Sequence, residues 1–202
     1  MRVGVAVAAI AALSLPLAGA VALSTLSLRE SRPVWLLAIG AVALLVAVVA
    51  TQADLRAEAS AAKAILAGTA GVAAARVFQH RVEAVVIAIG IVIVDLWSVF
   101  AGPTRTLIEE QPDTLALLSV ALPAPGLREA AAIGMPDLLF LALFTAVAAP
   151  LGLRERTGAL AMLAALSATS VASWALERPL PALPLLSLAF LAASADRLVA
   201  RH

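Results

Sequence analysis

The stretch AAIGMPDLLFLALFTAVAAPLG, residues 131–152, carries one charge, Asp137, in 22 residues. At 1.5 Å per residue a helix of that length spans about 33 Å, enough to cross a hydrocarbon core of about 30 Å. The question it raises is why a helix of Leu, Ala and Phe holds a bare carboxylate. The rest of the chain has the same texture. Of 202 residues, 63% are hydrophobic and 13% charged, and the mean hydropathy is +1.04. A soluble domain carries about 25% charged residues. So much apolar surface cannot be hidden in one core of this size, and the composition predicts an integral, multi-pass membrane protein.

Working outward, seven segments are long and apolar enough to be read as spans: residues 3–28, 33–51, 61–78, 83–101, 130–151, 157–176 and 179–195. The expected fold is all-α, a polytopic transmembrane helix bundle in one membrane domain, residues 1–202. It divides into an N-terminal three-helix part (1–80) and a C-terminal part (83–202). Segment 3–28, with Arg2 ahead of it, has 26 uncharged residues. A signal-peptide core has about 7–15, so this segment is read as a retained helix. Lys63 and Arg76, near the ends of segment 61–78, are expected to snorkel to the interface. The one long connection, 102–129, contains TLALLSVALPAPG (114–126), too short and proline-rich to span and therefore read as interfacial or extended. Lys and Arg divide six to eight between the two faces, too evenly for the positive-inside rule to orient the chain.

Several chemistries are set aside at this stage. There is no cysteine, which removes disulfides and thiolate chemistry. His80 and His202 are too few and too far apart for a His-based metal site. A net charge of +1 makes no case for nucleic acid. Neither metal nor cofactor is expected, and the expected partners are the lipid bilayer and transmembrane protein substrates. The oligomeric state stays open.

Two ionisable residues lie well inside the spans, Asp95 and Asp137. A charge at the bilayer centre costs at least about 2.5–3.5 kcal/mol on insertion scales, so such residues are functional candidates. Asp95 precedes the end of its segment at Ala101, and Asp137 follows the start of its own at Ala130. Both then lie about 9–11 Å from the shared loop end. Adjacent antiparallel helices would bring the carboxyls to one depth. Two facing carboxyls hold one proton between them: the ionised one takes a proton from water and the protonated one donates to a carbonyl oxygen. Gly134, at i−3 from Asp137, is read as a point of close helix approach. Pro136 lacks an N–H and is read as a kink that leaves a carbonyl unpaired in the preceding turn.

These residues resemble the presenilin and signal peptide peptidase family of intramembrane aspartyl proteases, and in particular a small prokaryotic member. The family's Tyr-Asp motif is matched by Val94-Asp95 in IVIVDLWSVFAGPTRTLIEE (91–110). Its Gly-x-Gly-Asp motif is matched by GMPD, Gly134 to Asp137. Its Pro-Ala-Leu motif is matched by Pro181, Ala182 and Leu183 in RPLPALPLLSLAF (178–190). Each motif alone is weak, and the order of the three carries the resemblance, which covers residues 83–195. It implies a catalytic dyad of Asp95 and Asp137, with Gly134, Pro136, Pro181, Ala182 and Leu183 gating substrate or supporting the dyad. Pro179, Pro181 and Pro184 would forbid regular helix at that entrance, where irregular backbone is tolerated if it lines a cavity. The expected activity is endoproteolysis of transmembrane helices in a prokaryotic cytoplasmic membrane. There are two departures: Val94 replaces the tyrosine and Pro136 replaces the second glycine. They keep open a presenilin-like scaffold without catalysis. A small proton-coupled transporter using the two acids as a relay is a third reading.

Overall fold

The structure, a computed structural model, describes residues 15–16, 18–100, 118–121, 132–176 and 180–199. Most of segment 3–28 before Ala18, most of the 102–129 connection, and Pro179 lie outside them. Seven helices are described: α1 (Ala18–Leu28), α2 (Pro33–Gln52), α3 (Arg56–Ala75), α4 (Arg81–Phe100), α5 (Met135–Ala148), α6 (Glu155–Ala175) and α7 (Leu183–Val199). Two three-residue strands, β1 (Ser119–Ala121) and β2 (Ala132–Gly134), stand between α4 and α5.

Local chemistry sets most boundaries. Pro33 opens α2, where the first helical position needs no N–H. The chain leaves α2 through Asp54, whose φ of 53° lies in the left-handed region that aspartate tolerates. At the start of α4 the Glu83 carboxylate accepts the N–H groups of Gln79 (2.7 Å) and His80 (3.1 Å). Segment 61–78 proves to begin earlier, at Arg56, because RAEASAA is itself a run of good helix formers.

Residues 130–151 are not one span. Ala132–Gly134 is extended, and α5 has 14 residues, about 21 Å. Pro136 explains the start. Its ring and missing N–H fit only the first turn, so a helix containing it begins beside it. Pro150 and Gly152, with φ of 66°, follow the other end. Asp137 therefore lies in the first turn of α5, not near the middle of a span. No helical turn precedes Pro136, so no helical carbonyl is left unpaired by it.

α2 packs on α3, α3 on α5 and on β1, α5 on α6 and α7, α6 on α7, and α4 chiefly on α7. The expectation that α4 and α5 would be adjacent antiparallel partners is thus corrected. Their main link is α7, which packs on both. Phe144 of α5 and Phe190 of α7 stack at 4.5 Å, fully buried, with Leu138, Leu141, Met162 and Leu186 around the same core. The α3–α5 contact is backbone-close. A Cβ on Gly71 would overlap the carbonyl oxygen of Leu139 and lie 2.8 Å from Ala142 Cβ. The apolar exterior is extensive: α2 exposes Val34, Trp35, Leu37 and Leu45, and α4 exposes Val82, Val86, Ile93 and Trp97. Among the described residues one helix, Pro33–Gln52, is both long and apolar enough to cross a membrane.

Charged side chains tie the helices at one end. Arg81, at the start of α4, donates to the carbonyls of Leu151 beyond α5 (2.8 Å) and Arg197 on α7 (2.7 Å). Arg29 after α1 reaches Glu155 of α6 at 3.2 Å. Arg154 forks onto both oxygens of Asp196 at 2.8–3.2 Å. Asp196 is one residue past the seventh apolar segment, and this hydrogen bonding holds its carboxyl below the usual carboxylate range.

Candidate functional site

The opposite end collects the residues singled out from the sequence. Gly134 is the N-cap of α5, with extended φ and ψ of −62° and 139°, and Asp137 is the third residue of the helix. The Gly134 N–H donates to Asp137 Oδ2 at 3.2 Å. That is half of a capping box: the carboxylate satisfies a backbone donor at the helix start. The return bond is absent because glycine has no side chain to give it. The glycine matters for space. A Cβ at residue 134 would stand 2.9 Å from Asp137 Oδ2, so any larger residue pushes the carboxyl aside. The Gly134–Asp137 contact expected from helix spacing exists, but through the cap and not through a helix face. Pro136 is exposed beside it, in a position where its missing N–H costs nothing.

The strand before the cap is held by its neighbour. β1 and β2 pair antiparallel with Ser119 opposite Gly134 and Val120 opposite Ile133. Met135 N–H donates to the Leu118 carbonyl at 2.8 Å, just beyond that register. Hydrogen-bonded and non-bonded pairs alternate in an antiparallel ladder. Ser119 and Gly134 therefore turn their polar groups to the two outer edges. Gly134 N–H meets Asp137 on one edge. Ser119 O meets Lys63 Nζ, 3.3 Å away, on the other.

α7 supplies the third part. Leu180–Ala182 is non-helical, and Leu180 N–H is held by Ser173 Oγ of α6 at 2.9 Å. Ala182 and Leu183 are buried, and the first helical bond runs from Leu186 N–H to the Ala182 carbonyl at 3.0 Å. The Leu183 N–H, an orphan donor of the helix start, lies near the carboxyl of Asp95 on α4. Asp95 Oδ2 is buried with no hydrogen-bond partner among the described residues. α7 packs on both α4, which carries Asp95, and α5, which carries Asp137.

Asp95, Gly134, Asp137, Ala182 and Leu183 are thus brought to one end of the bundle, on α4, the β2–α5 junction and the start of α7. Pro181 borders them, half-buried. Val94 does not join them. It is 62% exposed and turned outward from α4. Two features were missed in the sequence. The β1–β2 pair was hidden because Ala132–Gly134 reads as the front of an apolar helix. Lys63, expected near the end of segment 61–78, is the eighth residue of α3. The run of helix formers from Arg56 was the available signal for the latter.

The chain matches no known family model, no curated protein and no solved structure.

Proposed function

We propose that the chain is a multi-pass intramembrane aspartyl endopeptidase whose dyad is Asp95 and Asp137. The observation that carries the reading is the meeting of the three motifs. α7, which the Pro-Ala-Leu segment opens, packs on both α4 and α5, the helices that carry Asp95 and Asp137, and Gly134 holds Asp137 at the head of α5. The exposed apolar faces of α2 and α4 support the membrane reading, since soluble monomers rarely expose contiguous apolar patches beyond a few hundred Å². In hydrolysis, one carboxylate takes a proton from water as its oxygen attacks the peptide carbon. The other carboxyl donates to the carbonyl oxygen. The tetrahedral species then breaks its C–N bond as the amine is protonated. Asp95 Oδ2, without a partner among the described residues, is the oxygen available to that water or carbonyl.

A substrate helix hides its carbonyls in its own hydrogen bonds, so a stretch must become extended first. TLALLSVALPAPG contributes the extended strand β1. β1 pairs with β2, and its outer edge faces α3. The edge left to a substrate strand is that of β2, next to Asp137, by strand addition.

The test is co-reconstitution in vesicles with quenched fluorescent transmembrane peptides. Asp95→Ala and Asp137→Ala should each lower cleavage by about 10²–10⁴-fold while the chain stays inserted and folded. Cleavage near the wild-type rate in either variant removes the dyad. The second reading, a non-catalytic scaffold, is favoured by one observation: the Gly134–Asp137 cap gives Asp137 a structural role without chemistry. On that reading a hydroxyethylene transition-state isostere does not bind the wild-type chain.

A further inference from the structure

We infer that Lys63 of α3 is a positioning residue for the proposed site, holding the β1–β2 pair and through it the Gly134–Asp137 cap. The inference deepens the proteolytic reading and rests on it for the word "site". The part of the chain with no likeness to any protease, residues 1–80, thereby contributes to the geometry of the dyad.

Lys63 is the eighth residue of α3, about 10 Å into the helix. Its neighbours Ala59, Ala62, Ala64 and Ala67 are buried. An ammonium this far from a helix end needs acceptors where it is, and one is the Ser119 carbonyl at 3.3 Å. The ladder geometry turns that carbonyl away from β2, so the bond secures the strand from its outer edge without disturbing the pairing. The links then run in sequence. Lys63 holds Ser119; Ser119 stands opposite Gly134; Gly134 N–H holds Asp137 Oδ2. A three-residue strand pair has little stability of its own, so an external hold decides where it rests.

α3 is suited to act as the frame. Two turns after Lys63, Gly71 brings it to backbone contact with α5 around Leu139, Ala142 and Leu143. One rigid helix therefore touches both sides of the junction that aims Asp137: β1 before it and α5 after it. Lys63 also closes the β1 edge. A lysine on an edge strand's carbonyl row discourages further strand addition, which directs any incoming strand to the β2 edge.

The experiment uses the full-length chain in detergent or vesicles. Amide hydrogen exchange is followed at β1, β2 and Met135, with α6 and α7 as internal references. Lys63→Met keeps the stem and removes the donor; Lys63→Arg restores a donor. Exchange at β1–β2 should quicken about fivefold or more in Lys63→Met, as for one lost charged hydrogen bond. It should return toward wild type in Lys63→Arg, with α6 and α7 unchanged in both. With the quenched peptides, kcat should fall in Lys63→Met with KM little changed, and recover in Lys63→Arg. Unchanged exchange at β1–β2 in Lys63→Met overturns the inference, as does an equal rise across α6 and α7. A wild-type chain that cleaves nothing counts against the proteolytic reading alone, and the exchange result still decides whether Lys63 holds the sheet.

Discussion

At the scale of single residues, Gly134 and Asp137 decide what the opening stretch is. Asp137 reads as an anomaly if placed in the middle of an apolar helix. In the first turn it accepts the N–H of Gly134 at 3.2 Å, and a carboxylate near a helix N-terminus is the charge that position favours. The backbone of Gly134 is one any residue can adopt, so its value lies in its missing side chain. Gly134→Ala should leave stability within about 1 kcal/mol of wild type. It should lower peptide cleavage by about 10- to 100-fold, because the added methyl displaces the carboxyl. Equal cleavage by the alanine variant would show that the position of Asp137 does not depend on this contact. Asp95 is the complementary case. Among the described residues one of its oxygens is buried without a partner, where buried polar groups are nearly always satisfied, and the proposed chemistry gives that oxygen a use.

Among the elements, α3 and α7 matter most to the candidate site, although the two carboxylates are carried by α4 and α5. α7 packs on α4 and α5, and its first residue, Leu183, lies near Asp95. α3 reaches β1 through Lys63 and α5 through Gly71. Replacing Gly71 tests the second contact. A methyl there would overlap backbone atoms of α5, which cannot move aside as a flexible side chain could. Gly71→Ala should destabilise by about 1–3 kcal/mol, the range for overpacking a tight interface, read as a lower unfolding temperature in detergent. Gly158, with nothing within 4 Å of an added Cβ, is the matched control, and Gly158→Ala should be neutral or mildly stabilising. A Gly71→Ala chain as stable as wild type would mean that α3 and α5 stand further apart.

For the whole molecule, the two ends are built differently. One gathers Asp95, Asp137, the strand pair and the start of α7. The other is fastened by Arg81 to Leu151 and Arg197, by Arg154 to Asp196 and by Arg29 to Glu155. Arg81 alone joins α4 to the ends of both α5 and α7, so the helices bearing the proposed site are clamped at the end away from it. The multi-pass reading makes a prediction at this scale. The chain has no cysteine, so single cysteines placed at Ser31, Asp54 and Gln79, in the turns flanking α2 and α3, can be labelled by a membrane-impermeant reagent. Ser31→Cys and Gln79→Cys should label from one side of sealed vesicles and Asp54→Cys from the other. All three labelling from one side would refute spans at α2 and α3.

Composition and run length alone settle the apolar, helical character of the described residues, the approximate position of every described helix and the identity of the two unusual carboxylates. Those properties are local: composition, run length and proline placement act over a few residues and need no partner. The short strand pair, the true start of α5 and the role of Lys63 were decided only by the tertiary structure. Ala132–Gly134 has the composition of a helix and becomes a strand because Pro136 bars the helix from extending backward and β1 supplies the missing partner. Ser119 and Lys63 are far apart in the chain, and only the packing of α3 against β1 brings a donor to that carbonyl. In the same way, a backbone N–H such as that of Leu183 has no signature in the sequence, and only the packing of α7 on α4 brings it near Asp95.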